Sequence, residues 1–189
     1  MTSNTLTYQC TLFKREFTPH ILGIAMRESR LVVACVPTKH AAESVHRAAQ
    51  QYGLRTQRIH ANRSRVQERR AFDACAFRAL DLLVVTPRVF QNSRINQPHV
   101  VIFSGTATPS LVMITAKSAP SHILILRTEY EEKNMRAIER SYGICVPSVS
   151  LHGYATMPPY TTRHPWTWLR RHRMLSPWQW LFCKEEILT

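Results

Sequence analysis

Glycine is scarce in this chain of 189 residues, which contains only five, roughly a third of the usual proportion. Loops that bind nucleotide phosphates need glycine so that backbone N–H groups can approach the ligand closely. Neither of the two glycine-rich phosphate-binding patterns, GxxxxGK[ST] and GxGxxG, occurs in the sequence. We therefore do not expect a self-contained nucleoside triphosphatase.

Long apolar runs are also missing. No segment approaches the ~20 apolar residues that a helix needs to cross a bilayer. The first basic residues, Lys14 and Arg15, are not followed by an apolar stretch long enough for a secretory signal peptide. Residues 1–27 are basic, and we expect them to be either a weak organellar presequence or an N-terminal arm that leads into the folded domain.

Motifs for metal binding and for nucleophilic catalysis are absent as well. The five cysteines are odd in number and form no CxxC pair, which predicts reduced structural thiols in a reducing compartment. The nine histidines form no HExxH motif, and the chain has no GxSxG elbow. The sequence therefore predicts no metal, no cofactor and no hydrolase centre.

Acidic residues are few compared with basic ones. The 12 Asp and Glu residues oppose 25 Lys and Arg residues, 20 of them Arg, and the formal net charge is +13. Such an excess indicates a polyanionic partner, and the planar guanidinium fork suits phosphate. The alternatives are a solubilising surface and an anionic membrane, but no basic amphipathic helix with a clean apolar face supports the membrane. Nucleic acid is the favoured partner.

The middle of the chain alternates helical and strand patterns. Thr38 and Gly53 bracket a helix whose apolar stripe faces inward, while Glu43, His46 and Arg47 face away from it. Ser64 or Asn62 begins a second helix that runs to about Phe77. The residues predicted on its inward face are Val66, Ala71, Phe72 and residues 74–76.

Continuous apolar runs at residues 82–86, 100–103 and 122–126 are typical of strands buried on both faces. Residues 55–59 are a weaker strand candidate, and a capping box at residues 128–131 begins a last helix that ends near Gly143. This order of elements predicts an α/β fold with a mostly parallel sheet.

The order of these elements resembles the second RecA-like lobe of DEAD-box RNA helicases over about residues 5–145. The segment VPTK at residues 36–39 is similar to the family's strand-to-helix entry, and His60 looks like part of its histidine-glycine block. Thr86 matches the threonine of the family's "ATD" segment, and residues 121–143 resemble its last strand and helix. The resemblance implies a three-layer RecA-like domain at residues 28–145, preceded by the arm at 1–27 and followed by an irregular extension at 146–189.

The departures from the family pattern concern catalysis. Ala61 and Asn92 replace glycines, Pro87 replaces the aspartate beside Thr86, and Arg94 stands where the family has an aspartate that contacts the ribose. Between residues 106 and 121, where the paired arginines are expected, there is no arginine and only Lys117 is basic. Loss of arginine fingers typically costs about 10³–10⁵ in rate, so we expect a catalytically silent chain.

The basic block that surrounds the second helix is the first candidate for nucleic-acid contact. Arg63, Arg69 and Arg70 lie near the helix start, where a bound phosphate would offset their mismatch with the helix dipole. The resemblance implies that Thr86 contacts an RNA phosphate. The full set of predicted nucleic-acid contacts is Arg63, Arg65, Arg69, Arg70, Thr86, Arg88, Arg170, Arg171 and Arg173. The alternative for the block is a solvated arginine face.

The C-terminal extension has a different composition from the rest of the chain. All four tryptophans and five of the 11 prolines lie after Gly143. The arginines at positions 170, 171 and 173 suit RNA phosphates, and the aromatic rings suit either stacking on RNA bases or packing against a neighbouring protein. Partner-binding residues are predicted to be Trp166, Trp168, Trp178 and Trp180.

Together these features predict a non-catalytic RNA-binding subunit of a large ribonucleoprotein, a ribosome or ribosome-assembly particle. Ribosomal RNA and neighbouring proteins would be its partners. Lone degenerate domains with such tails resemble subunits of divergent mitochondrial ribosomes, which favours mitochondria over the cytoplasm or nucleus. The alternatives are a helicase half that pairs with a separate first lobe, with Arg88 and Arg94 at the nucleotide, and a protein-only adaptor.

Overall fold

Six parallel strands form a single sheet in the computed structural model, which describes residues 5–28, 30–93, 95, 98–143 and 145–148. The strands are β1 (Leu6–Thr11), β2 (Val32–Cys35), β3 (Thr56–Ile59), β4 (Leu82–Val85), β5 (Val100–Ser104) and β6 (His122–Arg127). Their order across the sheet is β1-β6-β5-β2-β4-β3, and every neighbouring pair is parallel. The predicted mostly parallel sheet is thus entirely parallel among these strands.

Within the described residues, six α-helices connect or follow the strands. They are α1 (Phe17–Arg27), α2 (Lys39–Gln51), α3 (Arg65–Ala76), α4 (Pro87–Asn92), α5 (Pro109–Lys117) and α6 (Glu132–Tyr142). The predicted caps are confirmed: the Thr38 hydroxyl accepts from the Ala41 N–H, and Ser64 and Gln67 form a capping box at the start of α3. Gly143 ends α6 in the left-handed conformation, with φ of +63°.

The core lies on both faces of the sheet. On β2, Val32 and Ala34 pack with the helices α1 and α2, whereas Val33 and Cys35 pack with residues of α3 to α6. This alternation follows from the period of two in a strand, and it explains why the central strands are continuous apolar runs. The chain therefore has the predicted three-layer α/β architecture.

The N-terminal segment is part of this architecture. The prediction treated residues 1–27 as an arm, but β1 pairs with β6 along its whole length, and α1 buries Ile21, Leu22 and Ile24 in the core. The helices α4 and α5 were not predicted either. Thr108 followed by Pro109 is an N-cap signal for α5, but the short apolar sequence that follows, rich in β-branched residues, has the composition of a strand.

The inward face of α3 was predicted partly wrongly. Ala71 and Cys75 are buried, and Phe72 packs against them, whereas Val66 is 61% exposed. Val66 is the second residue of α3, directly after the Ser64 cap and Arg65, and the first buried residue of the helix is Ala71. Burial begins one helical turn later than the pattern predicted.

The outer edge of β1 is also paired. The Gln9 N–H donates to the carbonyl of Pro147 at 2.9 Å, and the Gln9 side-chain amide donates to the carbonyl of Val146 at 2.7 Å. Ser148 forms a parallel bridge with Gln9. The chain thus returns to the sheet after α6, and Ser148 lies where a seventh strand would pair with the outer edge of β1.

Two histidines at the amino ends of β5 and β6 make stability depend on pH. The rings of His99 and His122 are 5.9 Å apart, His122 stacks on Tyr8, and the His99 ring lies 3.2 Å from Glu28. Burial, together with the neighbouring His99, lowers the pKa of His122 to about 4 from a usual value of 6.5. The unfolded chain therefore binds more protons than the folded chain between these two values.

We expect acidification to destabilise the fold through His122. The contribution of His122 to the free energy of unfolding is fully present above pH 6.5 and is lost as the pH falls towards 4. Between pH 7 and pH 5 the loss is about 1 kcal/mol after allowance for partial exposure of the ring. Thermal unfolding of the wild type and of His122→Gln at both pH values measures this. The variant should lose less stability than the wild type, and an equal loss in both would contradict the assignment.

Candidate nucleic-acid interface

The carboxyl ends of β3 and β4 place several of the predicted RNA contacts side by side. The two strands are neighbours, and the Thr86 N–H donates to the Ile59 carbonyl at 3.2 Å. Thr86 is buried and begins α4, although its side chain makes no capping hydrogen bond. Arg88, in the first turn of α4, is exposed. The structure therefore brings Thr86 and Arg88 next to the loop that connects β3 to α3.

The helix α3 presents arginines to solvent. Arg65, Arg69 and Arg70 are exposed, and none of them forms an ion pair within the described residues. Arg65 is the first residue of the helix, where the exposed N–H groups also favour an anion. These three guanidinium groups are free of intramolecular carboxylates there, so they can bind phosphate without first breaking a contact.

Arg63 has a different environment, because it belongs to an ionic cluster around Glu43. This cluster, called the Glu43 cluster below, joins Glu43 of α2 to Arg58 of β3 and to His60 and Arg63 of the following loop. The carboxylate oxygens of Glu43 lie 2.5 Å from Arg58 Nε, 3.1 Å from His60 Nε2 and 3.9 Å from Arg63 Nη2. Hydrogen bonding to Arg58 is the main cause that lowers the pKa of Glu43 to about 2.

Of the residues predicted to face away from the apolar stripe of α2, Arg47 is exposed and Glu43 is half-buried, but the prediction for His46 was wrong. His46 is buried, its Nδ1 lies 3.4 Å from the Thr56 hydroxyl, and burial lowers its pKa to about 4. The strand β3 and the loop after it cover this side of α2. The stripe of small residues on α2 predicts which side of the helix packs on the sheet. It does not predict that the edge strand β3 also covers the neighbouring side, on which His46 lies.

Comparison with known proteins gives the fold. No protein family model matches the chain, and no curated protein sequence matches it. The DEAD-box protein of the hyperthermophile Methanococcus jannaschii superposes with a TM-score of 0.69 at 16% identity, over 79% of this chain and 43% of that one. The C-terminal domain of the DEAD-box protein Dbp5 gives 0.64 at 15% identity, over 78% of this chain and 90% of that domain. The chain has the fold of a DEAD-box C-terminal lobe.

A third structure, S. cerevisiae Dbp5 bound to RNA and ADP BeF3, gives a TM-score of 0.67 at 13% identity, over 79% of this chain and 42% of that chain. The chain thus spans less than half the length of the longer DEAD-box proteins it matches, and it corresponds to one RecA-like lobe of them. The sequence resemblance to a second lobe, and the three-layer fold it implied, are confirmed.

The segment of the lobe between β5 and β6 is polar and uncharged at its start. Thr106 donates a hydrogen bond to the Cys35 carbonyl at 3.1 Å, and the Thr108 hydroxyl accepts from the Leu111 N–H as the N-cap of α5. The single basic residue of the segment, Lys117, ends α5 at the opposite end of the helix. The segment in which the paired arginines are expected therefore begins with hydroxyl groups that are hydrogen-bonded within the fold.

A cavity of about 270 Å³ opens at the carboxyl ends of the strands of this lobe, between α1 and α2. Its charged residues are Lys14 and Glu131, and the Glu131 carboxylate accepts from the Thr128 N–H at 2.7 Å. Gly105 lines the same cavity with φ of +64°, and a Cβ there would lie 3.0 Å from a Glu131 oxygen. The charged residues that line the cavity are therefore one cation and one carboxylate.

Several predicted contacts lie outside the described residues: Arg94, Arg170, Arg171, Arg173, Trp166, Trp168, Trp178 and Trp180. Within the described ranges, no group of three or more His, Cys, Asp or Glu side chains is arranged to hold a metal ion. No helix in those ranges is both long and apolar enough to cross a membrane.

Proposed function

We propose that this C-terminal-type lobe is a non-catalytic RNA-binding subunit of a large ribonucleoprotein, a ribosome or ribosome-assembly particle. Ribosomal RNA and adjacent proteins of the particle are its partners. The observation that carries the proposal is the set of exposed arginines Arg65, Arg69 and Arg70 on α3, the helix that follows the loop next to Thr86 and Arg88. S. cerevisiae Dbp5, whose structure bound to RNA has the same fold, supports RNA as the ligand.

The contacts would be made to phosphate. Guanidinium groups and helix N-terminal N–H groups position a protein on a nucleic acid through its backbone, and they carry no base sequence information by themselves. Arg65 combines both, since it is a cation in the first turn of α3. The lobe therefore recognises the shape and charge of a folded RNA.

The absence of catalysis is proposed from the chemistry of the β5–α5 segment. Charge that develops on a transferred phosphoryl group needs cations to stabilise it. In this segment the hydroxyl groups of Thr106 and Thr108 are hydrogen-bonded within the fold, and the single basic residue, Lys117, lies in the last turn of α5. A subunit that holds RNA permanently has no need of turnover, which fits a structural role in the particle.

We place the particle in mitochondria. The support is the combination of one degenerate lobe with a basic, tryptophan-rich extension, a combination that resembles subunits of divergent mitochondrial ribosomes. The cytoplasm and the nucleus are the alternatives, and imaging of the full chain carrying a small epitope tag separates the three.

Binding of the full chain to structured RNA at several salt concentrations tests the proposal. If about five phosphates are contacted, the affinity should fall roughly 100-fold or more between about 50 and about 200 mM salt. Filter binding or fluorescence anisotropy measures this. An affinity that stays constant over that range, or an absence of binding at low salt, would refute RNA binding through this edge.

The second candidate function is a helicase half that completes an ATP site with a separate first lobe. The observation that favours it is the match over 90% of the Dbp5 C-terminal domain. ATP turnover by the purified particle, with the wild type and with Arg88→Ala, separates the two functions. Unchanged turnover in the variant agrees with the structural role, and a clear loss supports the helicase half.

A further inference from the structure

We infer that Glu43 is a positioning residue for the RNA-binding edge: it holds the loop between β3 and α3 in the conformation that presents the arginines. The inference rests on the proposed function for its RNA readout. Glu43 lies on α2, whereas the groups it contacts lie on β3 and on the following loop. One carboxylate therefore joins three consecutive segments of the chain at the edge of the sheet.

The contact with His60 fixes the loop in detail. The His60 side chain is only 4% exposed, and its Nδ1 accepts a hydrogen bond from the Asn62 N–H at 3.4 Å. Its Nε2 therefore carries the hydrogen and donates to Glu43 at 3.1 Å. The Arg63 N–H donates to the His60 carbonyl at 2.9 Å, which closes a turn directly before Ser64. Glu43 thus orients the ring on which this turn is built.

This turn between His60 and Arg63 sets the direction of α3. Ser64 caps the helix, and Arg65 is its first residue. On the neighbouring strand, Thr86 is hydrogen-bonded to Ile59, the residue before His60. A change in the orientation of His60 would therefore move Arg65 relative to Thr86, although neither of these residues contacts Glu43 in the described structure.

Positioning and simple electrostatics predict opposite results when the charge of Glu43 is removed. The cluster contains one carboxylate against Arg58 and Arg63, and its loss raises the positive charge near the RNA. If charge alone mattered, the affinity for a polyanion would rise. If Glu43 positions the loop, the affinity falls despite the gain in charge.

The test compares three variants of the full chain. Glu43→Gln should weaken binding to structured RNA about fivefold. It should also lower the salt slope, that is, the steepness with which the logarithm of the affinity falls with the logarithm of the salt concentration, by about 1, as expected when one phosphate contact is lost. Glu43→Asp keeps the charge but cannot reach all three partners, and it should weaken binding about threefold. Glu68→Gln, on the surface of α3, removes the same charge from the same region and should bind as tightly as the wild type or more tightly.

Amide hydrogen exchange without RNA provides the second readout. In Glu43→Gln, protection should fall at Asn62 and Arg63 but remain at residues of β2 and β5, which also shows that the variant is folded. If the wild type binds no RNA, the proposed function fails, yet this exchange pattern still decides whether Glu43 orders the loop. Glu43 variants that bind RNA as tightly as the wild type, or that keep full protection of the loop, would overturn the inference.

Discussion

Replacing Arg65, Arg69 and Arg70 together with glutamine is expected to lower the affinity for structured RNA about 10- to 100-fold at moderate salt. The three guanidinium groups are exposed and form no ion pair within the described residues, so their removal subtracts the proposed phosphate contacts and leaves no buried charge. The salt slope should fall by about 2 to 3, since each lost contact lowers it by roughly 0.7 to 0.9. Glutamine keeps the helix propensity of α3 nearly unchanged.

A control set of three cations lies on the same face of the sheet but towards its opposite edge, and one of the three, Arg136, forms an ion pair with Glu132. Lys133, Arg136 and Arg140 are exposed on α6, which follows β6, whereas α3 follows β3 at the opposite edge. The triple glutamine variant of α6 removes the same charge and should change RNA affinity less than threefold. Equal losses in the two triple variants would mean that net charge, and not the edge beside Thr86, governs binding.

Replacing Phe103 with alanine is expected to cost about 3–5 kcal/mol of the free energy of unfolding. Phe103 is fully buried on β5, and its ring packs edge-on against Phe90 at 5.8 Å between centroids. The lost ring leaves a cavity in the layer between the sheet and α4, which a parallel sheet buried on both faces cannot close easily. Such a loss is a large part of the 5–15 kcal/mol typical of a domain.

Urea unfolding followed by circular dichroism measures this change, and Phe77→Ala is the control. Phe77 has the same side chain but is 83% exposed at the end of α3, so its removal should change stability by less than about 0.5 kcal/mol. The midpoint for Phe103→Ala should therefore be much lower than the midpoints for Phe77→Ala and the wild type. Similar midpoints for the two variants would contradict the position of Phe103 in the core.

The sequence predicted most strongly the parts of the fold that depend on local signals. The runs at 82–85 and 100–104 are strands because a parallel sheet with helices on both faces leaves no polar positions on its central strands. Thr38 and Ser64 begin helices because their side chains satisfy N–H groups that the helix itself leaves unpaired. Such signals need no knowledge of the rest of the chain.

The parts that were missed depend on distant contacts. The strand β1 has a mixed sequence, LTYQCT, and becomes a strand because β6 and residues 146–148 pair with its two edges. Glu43 has an ordinary place on an amphipathic helix, and its contacts with Arg58 and His60 exist only because β3 is the edge strand beside α2. Thr86 and Arg88 lie beside the loop after β3 because β4 is the neighbour of β3 in the sheet. The sequence did not predict this order of strands.

The pairing of β1 with β6 has a consequence for synthesis of the chain. Arg127 of β6 donates a hydrogen bond to Gln9 of β1 at 2.9 Å across a separation of 118 residues. At a translation rate of about 5–20 residues per second, β1 leaves the ribosome roughly 6–24 s before its partner strand. During that interval the strand has unpaired backbone N–H and C=O groups on both edges, a state that promotes association with other chains. Shielding of β1 during that interval would prevent such association.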